Sequence, residues 1–346
     1  TANPSVDVFG NVDDTLASML PAPLFRRFKT GLLAAAETVV PTDAERATVV
    51  ILGGGICGSL VASFLQHDAR FKVVLVDRKQ YNEYTPDVIR THVVAHKDDT
   101  APPLATMLPK VEVVYGKVRD ISPTTVTVDY TQHAYDYLVV ATGTRAASGF
   151  KPSAVTMEAR MEELERARAT LAADTGTVAV VGGGSSGVEM ATSIKCKFPD
   201  KKVTLVSSSL ALMPRIKAAG LHARLMTAMR SLGVHVMLGE RVTNWESGMS
   251  RLKTHTGRVV ACDRVFWCTG VTPNTEFLRK QFDHLLDPRG FVKVVRTMQV
   301  VGCNNVFAGG DACMRYVFEE KCVHTARSHA VTIANNIVAI AEGRRP

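Results

Sequence analysis

Two glycine-rich turns of the same design occur in this chain, and the repetition restricts its fold more than any other feature. An apolar run at 49–52 leads into a G-x-G-x-x-G turn at 53–58, and another run at 178–181 leads into the same pattern at 182–187. Each turn lies between a predicted buried strand and a predicted helix, the context in which this pattern marks a dinucleotide site. The first glycine permits the tight turn, the second lets the backbone approach a pyrophosphate, and the third packs helix against strand. Two turns predict two dinucleotides, held so that electrons pass between them.

The order of strands and helices predicts an α/β fold in which one Rossmann-like unit interrupts another. A strand–turn–helix–strand unit at 47–77 is repeated at 177–206, and a strand near 306 and a helix at about 321–342 then rejoin the first sheet. Residues 213–232 are also predicted to be helical. The predicted parts are an N-terminal arm at 1–46, the first unit at 47–150, the inserted unit at 151–272 and the rest of the first unit at 273–346.

The charge balance favours anionic cofactors over nucleic acid. Lys and Arg total 41 against 33 Asp and Glu, which gives a net charge of +8. No basic run and no alternation of basic with aromatic residues is present, so we predict no nucleic-acid partner. Phosphate-rich cofactors, an anionic membrane surface or a basic organelle proteome explain the excess.

The N-terminal arm has an amphipathic pattern that leaves two interpretations open. Leucines and phenylalanines within 16–40 are interleaved with Arg26, Arg27 and Lys29. The arm could lie on a membrane interface or a protein complex, or fold back on its own domain. No run of 18 or more apolar residues is present, so no transmembrane segment is predicted. We expect a mitochondrial or peripheral membrane location.

The cysteines do not indicate a disulfide framework or a metal site. Seven cysteines are an odd number, and no pair has C-x-x-C or C-x4-C spacing. Cys313, Cys322 and His324 lie near one another in sequence, but their spacing matches no structural zinc site, so no metal is predicted.

The combined motifs resemble those of the two-dinucleotide flavoprotein oxidoreductases. Besides the two turns, apolar strands run into Thr-Gly at 142–143 and 269–270, and a late Gly-Gly-Asp occurs at 309–311. Within that superfamily, 182–191 and 320–330 resemble the apoptosis-inducing-factor-like ferroptosis suppressor flavoproteins, with type II NADH dehydrogenases as neighbouring relatives. The resemblance implies an FAD-binding Rossmann-like domain with an inserted NAD(P)H-binding Rossmann-like domain. Hydride would pass from NADH or NADPH to FAD, and electrons then to a quinone.

Matching positions imply the cofactor-binding residues. Asp77 would bind the FAD ribose, Asp311 the ribityl-phosphate region, and the Thr142-Gly143 pair would pass close to the flavin. The remaining glycines implied to hold the cofactors are Gly53, Gly55, Gly58 and Gly310 for FAD, and Gly182, Gly184 and Gly187 for NAD(P)H.

The resemblance also implies two catalytic residues. Glu189 would project toward the contact between nicotinamide and flavin, although a carboxylate early in a helix also complements the helix dipole. Lys321 would lie near the flavin ring, where a cation stabilises negative charge, or it is a solvated residue before a helix. Tyr84, Thr85 and Pro86 loosely resemble a segment that lies against the flavin in relatives. His324 is interpreted as a helix-surface residue, with contact to the edge of the flavin ring as the alternative.

The chain departs from the family pattern in its nucleotide site and its cysteines. Ser207, Ser208 and Ser209 stand where NAD-preferring folds have an acidic residue, and Arg215 or Lys217 could pair with a 2′-phosphate, so NADPH is permitted. The redox disulfide of glutathione-reductase-like relatives is missing, so electrons should pass directly from flavin to a small acceptor.

Relatives also continue past the end of this sequence into a segment that contacts a membrane or a quinone. Either that segment lies outside this sequence or the N-terminal arm replaces it.

Two functions from different classes remain open. The first is an FAD-dependent NAD(P)H oxidoreductase with a quinone-type acceptor. The second is a catalytically slow flavoprotein that serves as a structural or assembly subunit of a larger complex, a role that the arm and the basic surface would fit.

Overall fold

The computed structural model describes residues 45–95, 102–148, 150–173, 176–245, 250–315 and 319–346. The predicted N-terminal arm therefore lies, apart from its last two residues, outside the described residues. The domain limits at residues 47, 151 and 273 stay predictions.

The described strands and helices are named here in chain order. The strands are β1 (Ala47–Leu52), β2 (Phe71–Asp77), β3 (Glu112–Tyr115), β4 (Val118–Ile121), β5 (Thr125–Val128), β6 (Thr131–Ala134), β7 (Tyr137–Val140), β8 (Thr144–Ala146), β9 (Thr177–Val181), β10 (Lys202–Val206), β11 (Val234–Met237), β12 (Val242–Asn244), β13 (Arg251–Thr254), β14 (Val259–Ala261), β15 (Arg264–Trp267), β16 (Val271–Pro273), β17 (Val292–Val294), β18 (Val306–Ala308) and β19 (Cys313–Arg315). The α-helices are α1 (Ile56–Leu65), α2 (Val88–Thr91), α3 (Leu104–Met107), α4 (Met157–Ala173), α5 (Ser185–Lys197), α6 (Leu221–Ser231), α7 (Arg279–Phe282) and α8 (Val323–Ala341). Short 3-10 helices are Thr85–Asp87, Glu276–Leu278, Asp283–Leu285 and Gly310–Ala312.

The first unit is a five-stranded parallel sheet in the order β18-β7-β1-β2-β3. Residues 49–52 of β1 are fully buried, because helices and loops cover both faces of its central position. Helix α8 packs against α1 on this sheet. Since β18 pairs with β7, the last part of the chain rejoins the sheet that β1 begins. The predicted fold class, one Rossmann-like unit inserted in another, is confirmed.

The inserted unit is a four-stranded parallel sheet in the order β11-β10-β9-β15. Helices α5 and α6 cover one face, where Met190, Ile194 and Met229 are buried. The antiparallel strands β12, β13 and β14 lie toward the other face, where Leu252 and Val260 are buried. Covering both faces explains why 177–181 reads as one continuous apolar run.

The two segments that connect the units lie side by side. Strand β8, which leaves the first sheet, pairs antiparallel with β16, which returns to it. The Thr142 hydroxyl donates to the Asn274 carbonyl at 2.7 Å, and the Asn274 amide nitrogen donates to the Thr142 carbonyl at 3.0 Å. Backbone pairing and this reciprocal contact together fix how the units face each other.

A buried ion pair fixes a second junction between the units. The Arg160 guanidinium on α4 is 2.6 Å from a Glu83 carboxylate oxygen, and both residues are buried. The same guanidinium donates to the Phe150 carbonyl at 3.2 Å. The buried guanidinium charge is tolerated because it also pairs with Glu163 at 3.0 Å, whereas the second carboxylate oxygen of Glu83 is buried without a hydrogen-bond partner among the described residues. Arg160 thereby anchors the segment that precedes Thr85 and Pro86.

One predicted element is wrong in its first half. The helix predicted at 213–232 begins only at Leu221, as α6. Met213 has φ of +48°, which a right-handed helix does not accommodate, and its N–H donates to the Gly183 carbonyl at 2.7 Å. This bond folds the segment 213–220 over the second glycine turn instead of into a helix.

Among the described residues, no helix combines the length and the apolar character required to cross a membrane.

Candidate functional site

The two glycine turns close in the same way. A Cβ atom added to Gly58 would lie 1.9 Å from the Gly53 carbonyl oxygen, and one added to Gly187 would lie 1.8 Å from the Gly182 oxygen. Added to Gly53 or Gly182, a Cβ would be 2.4 Å or 2.3 Å from a backbone carbonyl oxygen of the neighbouring strand end. These four glycines are therefore required for packing, which places each helix start against its strand.

The middle glycines have a different environment. A Cβ on Gly55 or Gly184 would meet nothing within 4 Å. These residues are the N-caps of α1 and α5, and neither helix start has a side-chain cap. The first-turn N–H groups are thus left for an external acceptor, and the pyrophosphate of a dinucleotide fits both the donors and the open space.

The first turn opens into a cavity of about 420 Å³, called here the first-turn cavity. Thr85 and Pro86, which only loosely matched the family, also line it. The predicted site residues that line this cavity are Gly55, Gly143, Glu189, Gly310, Asp311 and Lys321.

The second turn opens into a cavity of about 510 Å³, called here the second-turn cavity. Its lining includes part of the segment 213–220 that folds over the turn. The predicted site residues that line this cavity are Gly182, Gly184, Ser207, Arg215 and Lys321.

The two cavities are adjacent. They share lining residues at the start of α5 and in the loop before α8, so the space beside one turn continues toward the space beside the other. The shared residues are Ser185, Ser186, Val271, Lys321 and Cys322.

Asp77 and Thr142 lie outside both linings. Asp77 ends β2, and its carboxylate accepts the N–H groups of Gly54 at 2.6 Å and Lys79 at 2.8 Å. It therefore lies beside the first turn, where the fingerprint places a ribose-binding acid. Thr142 uses its hydroxyl to bind Asn274, which ties the unit crossing together. The ligand-binding roles of both residues stay predictions.

Lys321 is held at the junction of the cavities. Its ammonium group donates to the Cys313 carbonyl and lies 5.0 Å from the centroid of the Phe291 ring. The side chain is half-buried, so the alternative of a freely solvated lysine does not describe it. A carbonyl and an aromatic face together fix a positive charge between the two cavities.

Glu189 lies in the second turn of α5, and its side chain opens into the first-turn cavity. Desolvation, together with the nearby Asp87 carboxylate, raises the pKa of Glu189 above its ordinary value. Burial and the Glu189 charge in turn raise the pKa of the Cys268 thiol to about 12. Glu189 thus keeps its proton to a higher pH than an ordinary glutamic acid.

Asp311 and Gly310 form a loop at the end of β18. The Thr144 hydroxyl is 3.4 Å from an Asp311 carboxylate oxygen, and the Lys151 ammonium is 3.9 Å from the same oxygen. The Gly310 N–H donates to His329 at 3.2 Å. Neither Lys151 nor His329 was predicted at this loop: Lys151 comes from a part of the chain far from Asp311, and His329, 19 positions after Gly310, belongs to no cofactor-binding motif.

The nucleotide end of the second-turn cavity contains a carboxylate that sequence reasoning missed. Ser207 is buried, and its hydroxyl accepts the Ser209 N–H at 3.2 Å. Glu240 also lines the cavity, where its carboxylate accepts the Thr256 hydroxyl at 2.7 Å and lies 3.4 Å from Arg258. These contacts lower the pKa of Glu240, so it is an ionised acid with its own partners. No motif marks it, because its place depends on the fold.

Among the described residues, no group of three or more His, Cys, Asp or Glu side chains is placed to hold a metal ion.

Two dinucleotide cradles on interlocked Rossmann-like units define a class of two-domain nucleotide-dependent oxidoreductases. Over residues 47–343 the sequence matches the pyridine nucleotide-disulphide oxidoreductase family, and the chain belongs to it. The chain is therefore an NAD(P)H oxidoreductase with FAD and NAD(P)H as its cofactors.

Curated relatives match most of the chain. It is 29% identical over 340 residues to apoptosis-inducing factor homolog A of Dictyostelium discoideum, covering 88% of this chain and 80% of that protein. It is 29% identical over 319 residues to ferroptosis suppressor protein 1 of Homo sapiens, covering 84% of this chain and 80% of that protein. The family resemblance inferred from the motifs is confirmed.

Solved structures share the fold. An NAD-dependent persulfide reductase from A. fulgidus superposes with a TM-score of 0.70 at 22% identity over 84% of this chain. The chain spans 59% of the length of that reductase. The sulfide:quinone oxidoreductase of Aquifex aeolicus superposes with a TM-score of 0.72 at 19% identity, over 86% of this chain and 77% of that one. At these identities the likeness concerns the fold.

The contrast between glycines that pack against backbone and glycines that border open space gives a direct test. Gly187→Ala should lower the free energy of unfolding by about 3 kcal/mol or more, because its Cβ would overlap a backbone oxygen. Gly184→Ala should leave the free energy of unfolding within about 0.5 kcal/mol, because nothing lies near its Cβ, but should weaken NAD(P)H binding about tenfold. Urea denaturation and titration with NADPH measure the two effects. Equal destabilisation by both variants would contradict the distinction.

Proposed function

We propose that this chain is an FAD-dependent NAD(P)H oxidoreductase that passes electrons to a quinone-type acceptor. FAD occupies the first-turn cavity, and NADH or NADPH occupies the second-turn cavity. The observation that carries the proposal is that the two cavities share five lining residues, Lys321 among them. Electron transfer between two bound dinucleotides requires that their binding sites be adjacent.

The chain's own residues supply binding, orientation and charge. The N–H groups at the starts of α1 and α5 hold the two pyrophosphates, and Asp77 holds the FAD ribose. When bound, the nicotinamide supplies a hydride and the flavin accepts it and releases electrons to the acceptor. Lys321 places a fixed positive charge among the residues that both cavities share, and Glu189 presents a carboxyl group whose pKa is raised above its ordinary value. Below that raised pKa the neutral acid can donate a hydrogen bond to a carbonyl or amide oxygen of a bound ring.

The thiols near the site support a small acceptor in place of a thiol relay. Cys57 lines the first-turn cavity, but it is buried and its pKa is raised well above the ordinary value, chiefly by desolvation. Cys313 is also a free buried thiol, and its pKa is raised to about 12. Electron relay through cysteine requires a thiolate, which neither residue forms readily near neutral pH. Cys322, which lines both cavities, is an exposed free thiol whose sulfur lies 3.4 Å from the Thr325 hydroxyl, and no cysteine of the chain is in a disulfide. We therefore propose that the acceptor approaches the flavin itself.

The lining of the first-turn cavity favours an apolar acceptor. Besides the polar residues named above, it contains Val88, Ile89 and Phe150. A flat apolar ring with carbonyl oxygens, such as a quinone, suits such a lining. The sulfide:quinone oxidoreductase named above shows that this fold can serve a quinone acceptor in another protein.

The nucleotide end of the second-turn cavity supports use of NADPH as well as NADH. Serines at 207–209 leave no carboxylate at the position where NAD-preferring folds bind the ribose. Arg215 and Arg241 line this end of the cavity, and the charge of Glu240 is already engaged by Thr256 and Arg258. A 2′-phosphate would therefore find cations nearby and no unpaired carboxylate among these residues.

A mitochondrial or peripheral membrane location fits the net charge of +8. The alternative role, a slow flavoprotein within a larger assembly, differs from the proposal in one measurable respect, its rate of flavin reduction.

Anaerobic mixing with NADPH or NADH tests the proposal. Purified protein loaded with FAD should lose its flavin absorbance within seconds, because the two cavities bring the coenzymes together. A short-chain quinone added afterwards should restore the absorbance at a comparable rate. A flavin that is bound but stays oxidised would support the assembly role and contradict the oxidoreductase. A reduced flavin that oxygen reoxidises but quinone does not would contradict the acceptor alone.

Variants of Glu189 test whether its protonated carboxyl group contributes to flavin reduction. Glu189→Ala should slow flavin reduction about tenfold, the effect of losing one hydrogen bond, with unchanged FAD retention. Glu189→Gln should retain most of the rate because the amide also donates. Because the pKa is raised, the wild-type rate should fall as the pH rises through the Glu189 pKa above 4.5, while the Gln variant stays level. Stopped-flow reduction across pH measures this. Parallel pH profiles for wild type and Gln would exclude the role.

Nucleotide preference is tested with serine-to-aspartate changes. Ser207→Asp places a carboxylate at the ribose position and should raise the KM for NADPH about tenfold by repulsion, with little change for NADH. Ser208→Asp is the second variant, because Ser208 is exposed at the same cavity and tolerates a charge. Ser231→Asp, exposed on α6, is the matched control and should change neither value. An unchanged ratio of KM values in both cavity variants would refute this assignment of the site.

A further inference from the structure

His329 is a buried histidine with a partner at each ring nitrogen. It lies on α8 with 2% of its surface exposed. Its Nδ1 atom is 3.2 Å from the backbone nitrogen of Gly310, and its Nε2 atom is 3.1 Å from a carboxylate oxygen of Glu319. The ring therefore bridges the Gly310–Ala312 turn, which lines the first-turn cavity, and the segment that leads to Lys321.

The partners define the protonation state of the ring. A backbone N–H can only donate, so Nδ1 accepts from Gly310 and carries no proton. The single proton of the neutral ring is then on Nε2, where it is donated to Glu319. The Arg315 guanidinium donates to the other oxygen of Glu319 at 2.6 Å and fixes that carboxylate. A continuous chain of hydrogen bonds thus runs from Arg315 through Glu319 and His329 to Gly310.

The loop that His329 binds has little freedom on its other side. A Cβ atom added to Gly309 would lie 2.6 Å from the Cys57 sulfur and 2.8 Å from the Ile333 side chain. Gly310 itself has φ of +64°, in the left-handed region that favours glycine. Its N–H is directed into the protein, where an unmet donor costs free energy. His329 supplies the acceptor that this buried loop needs.

We infer that His329 is a positioning residue that holds the Gly310–Asp311 loop in the shape that binds FAD, through the acceptor atom Nδ1 of its neutral ring. The inference rests on the proposed placement of FAD in the first-turn cavity. His329 itself lines neither cavity, so it acts through Gly310 and Asp311.

Protonation of the ring would break this contact, because Nδ1–H and the Gly310 N–H cannot donate to each other. Burial, together with the charges of Lys321 and Arg315, lowers the pKa of His329 below its ordinary value of 6.5 against the attraction of Glu319. The neutral, loop-binding ring is therefore present at pH 6.5 and above, and it is lost as the pH falls through that lowered pKa. The titratable and charged groups around the ring are Cys57 from α1, Asp311 from the loop, Cys313 and Arg315 from β19, and Glu319 and Lys321 before α8.

Two substitutions of His329 test the contacts of its two ring nitrogens separately. His329→Asn places an amide oxygen near the position of Nδ1, so it accepts from Gly310 at every pH and gives up the Glu319 contact. His329→Gln reaches the position of Nε2, so it keeps the Glu319 contact and gives up the acceptor for Gly310. The readout is the FAD dissociation constant of apoprotein, from quenching of flavin fluorescence, at about pH 5 to about pH 8.

The wild-type dissociation constant should be level above pH 6.5 and rise about tenfold as the pH falls through the lowered pKa of His329, the effect of one lost buried hydrogen bond. At about pH 8 His329→Asn should bind FAD within about twofold of wild type and show no pH dependence, whereas His329→Gln should bind about tenfold more weakly. His324→Asn, on an exposed site of the same helix, is the matched control and should behave as wild type. Thermal unfolding of each apoprotein shows whether the fold is intact.

Equal FAD affinity of the Asn and Gln variants at about pH 8 would overturn the inference while leaving the proposed function intact. Where only the Asn variant folds, binding about tenfold weaker than wild type overturns it, and where only the Gln variant folds, binding within about twofold of wild type does so. Wild-type protein that binds no FAD would overturn the proposed function itself and the inference with it.

Discussion

The structure depends on one steric constraint, the contact between the third glycine and the first glycine's carbonyl in each turn. A Cβ atom on the third glycine would lie only 1.9 Å or 1.8 Å from that carbonyl oxygen, so neither position admits a residue larger than glycine. The contact brings the helix start directly over the strand end and leaves its N–H groups without an internal acceptor. Phosphate binding is therefore a consequence of how strand and helix pack, and needs no charged side chain from the turn itself.

Because one unit is inserted in the other, the two glycine turns contribute to a single site. Because β8 and β16 cross side by side and β18 returns beside β7, the openings of the two turns are brought to a common space. The reciprocal bond between Thr142 and Asn274 and the buried ion pair between Arg160 and Glu83 hold this arrangement. None of these four residues lines a cavity, so the geometry of the site is determined largely at a distance from it.

The sequence predicted well those elements whose structure is determined by residues adjacent in the chain. The unit predicted at 177–206 is observed with its strands at Thr177–Val181 and Lys202–Val206, because the apolar run at 178–181 marks a strand buried on both faces. The segment 213–220 was mispredicted, because the bond from Met213 to the Gly183 carbonyl overrides helix-forming composition. Glu240 and His329 acquire their places from side-chain contacts with residues 10 to 19 positions away, which no sequence motif marks.

The charges at the junction of the cavities are arranged before any ligand arrives. Lys321 is fixed there by the Cys313 carbonyl and the Phe291 ring, two groups without a formal charge. Its positive charge is therefore not cancelled by these two partners. Such preorganised charge stabilises negative charge that develops during a reaction without requiring the protein to rearrange.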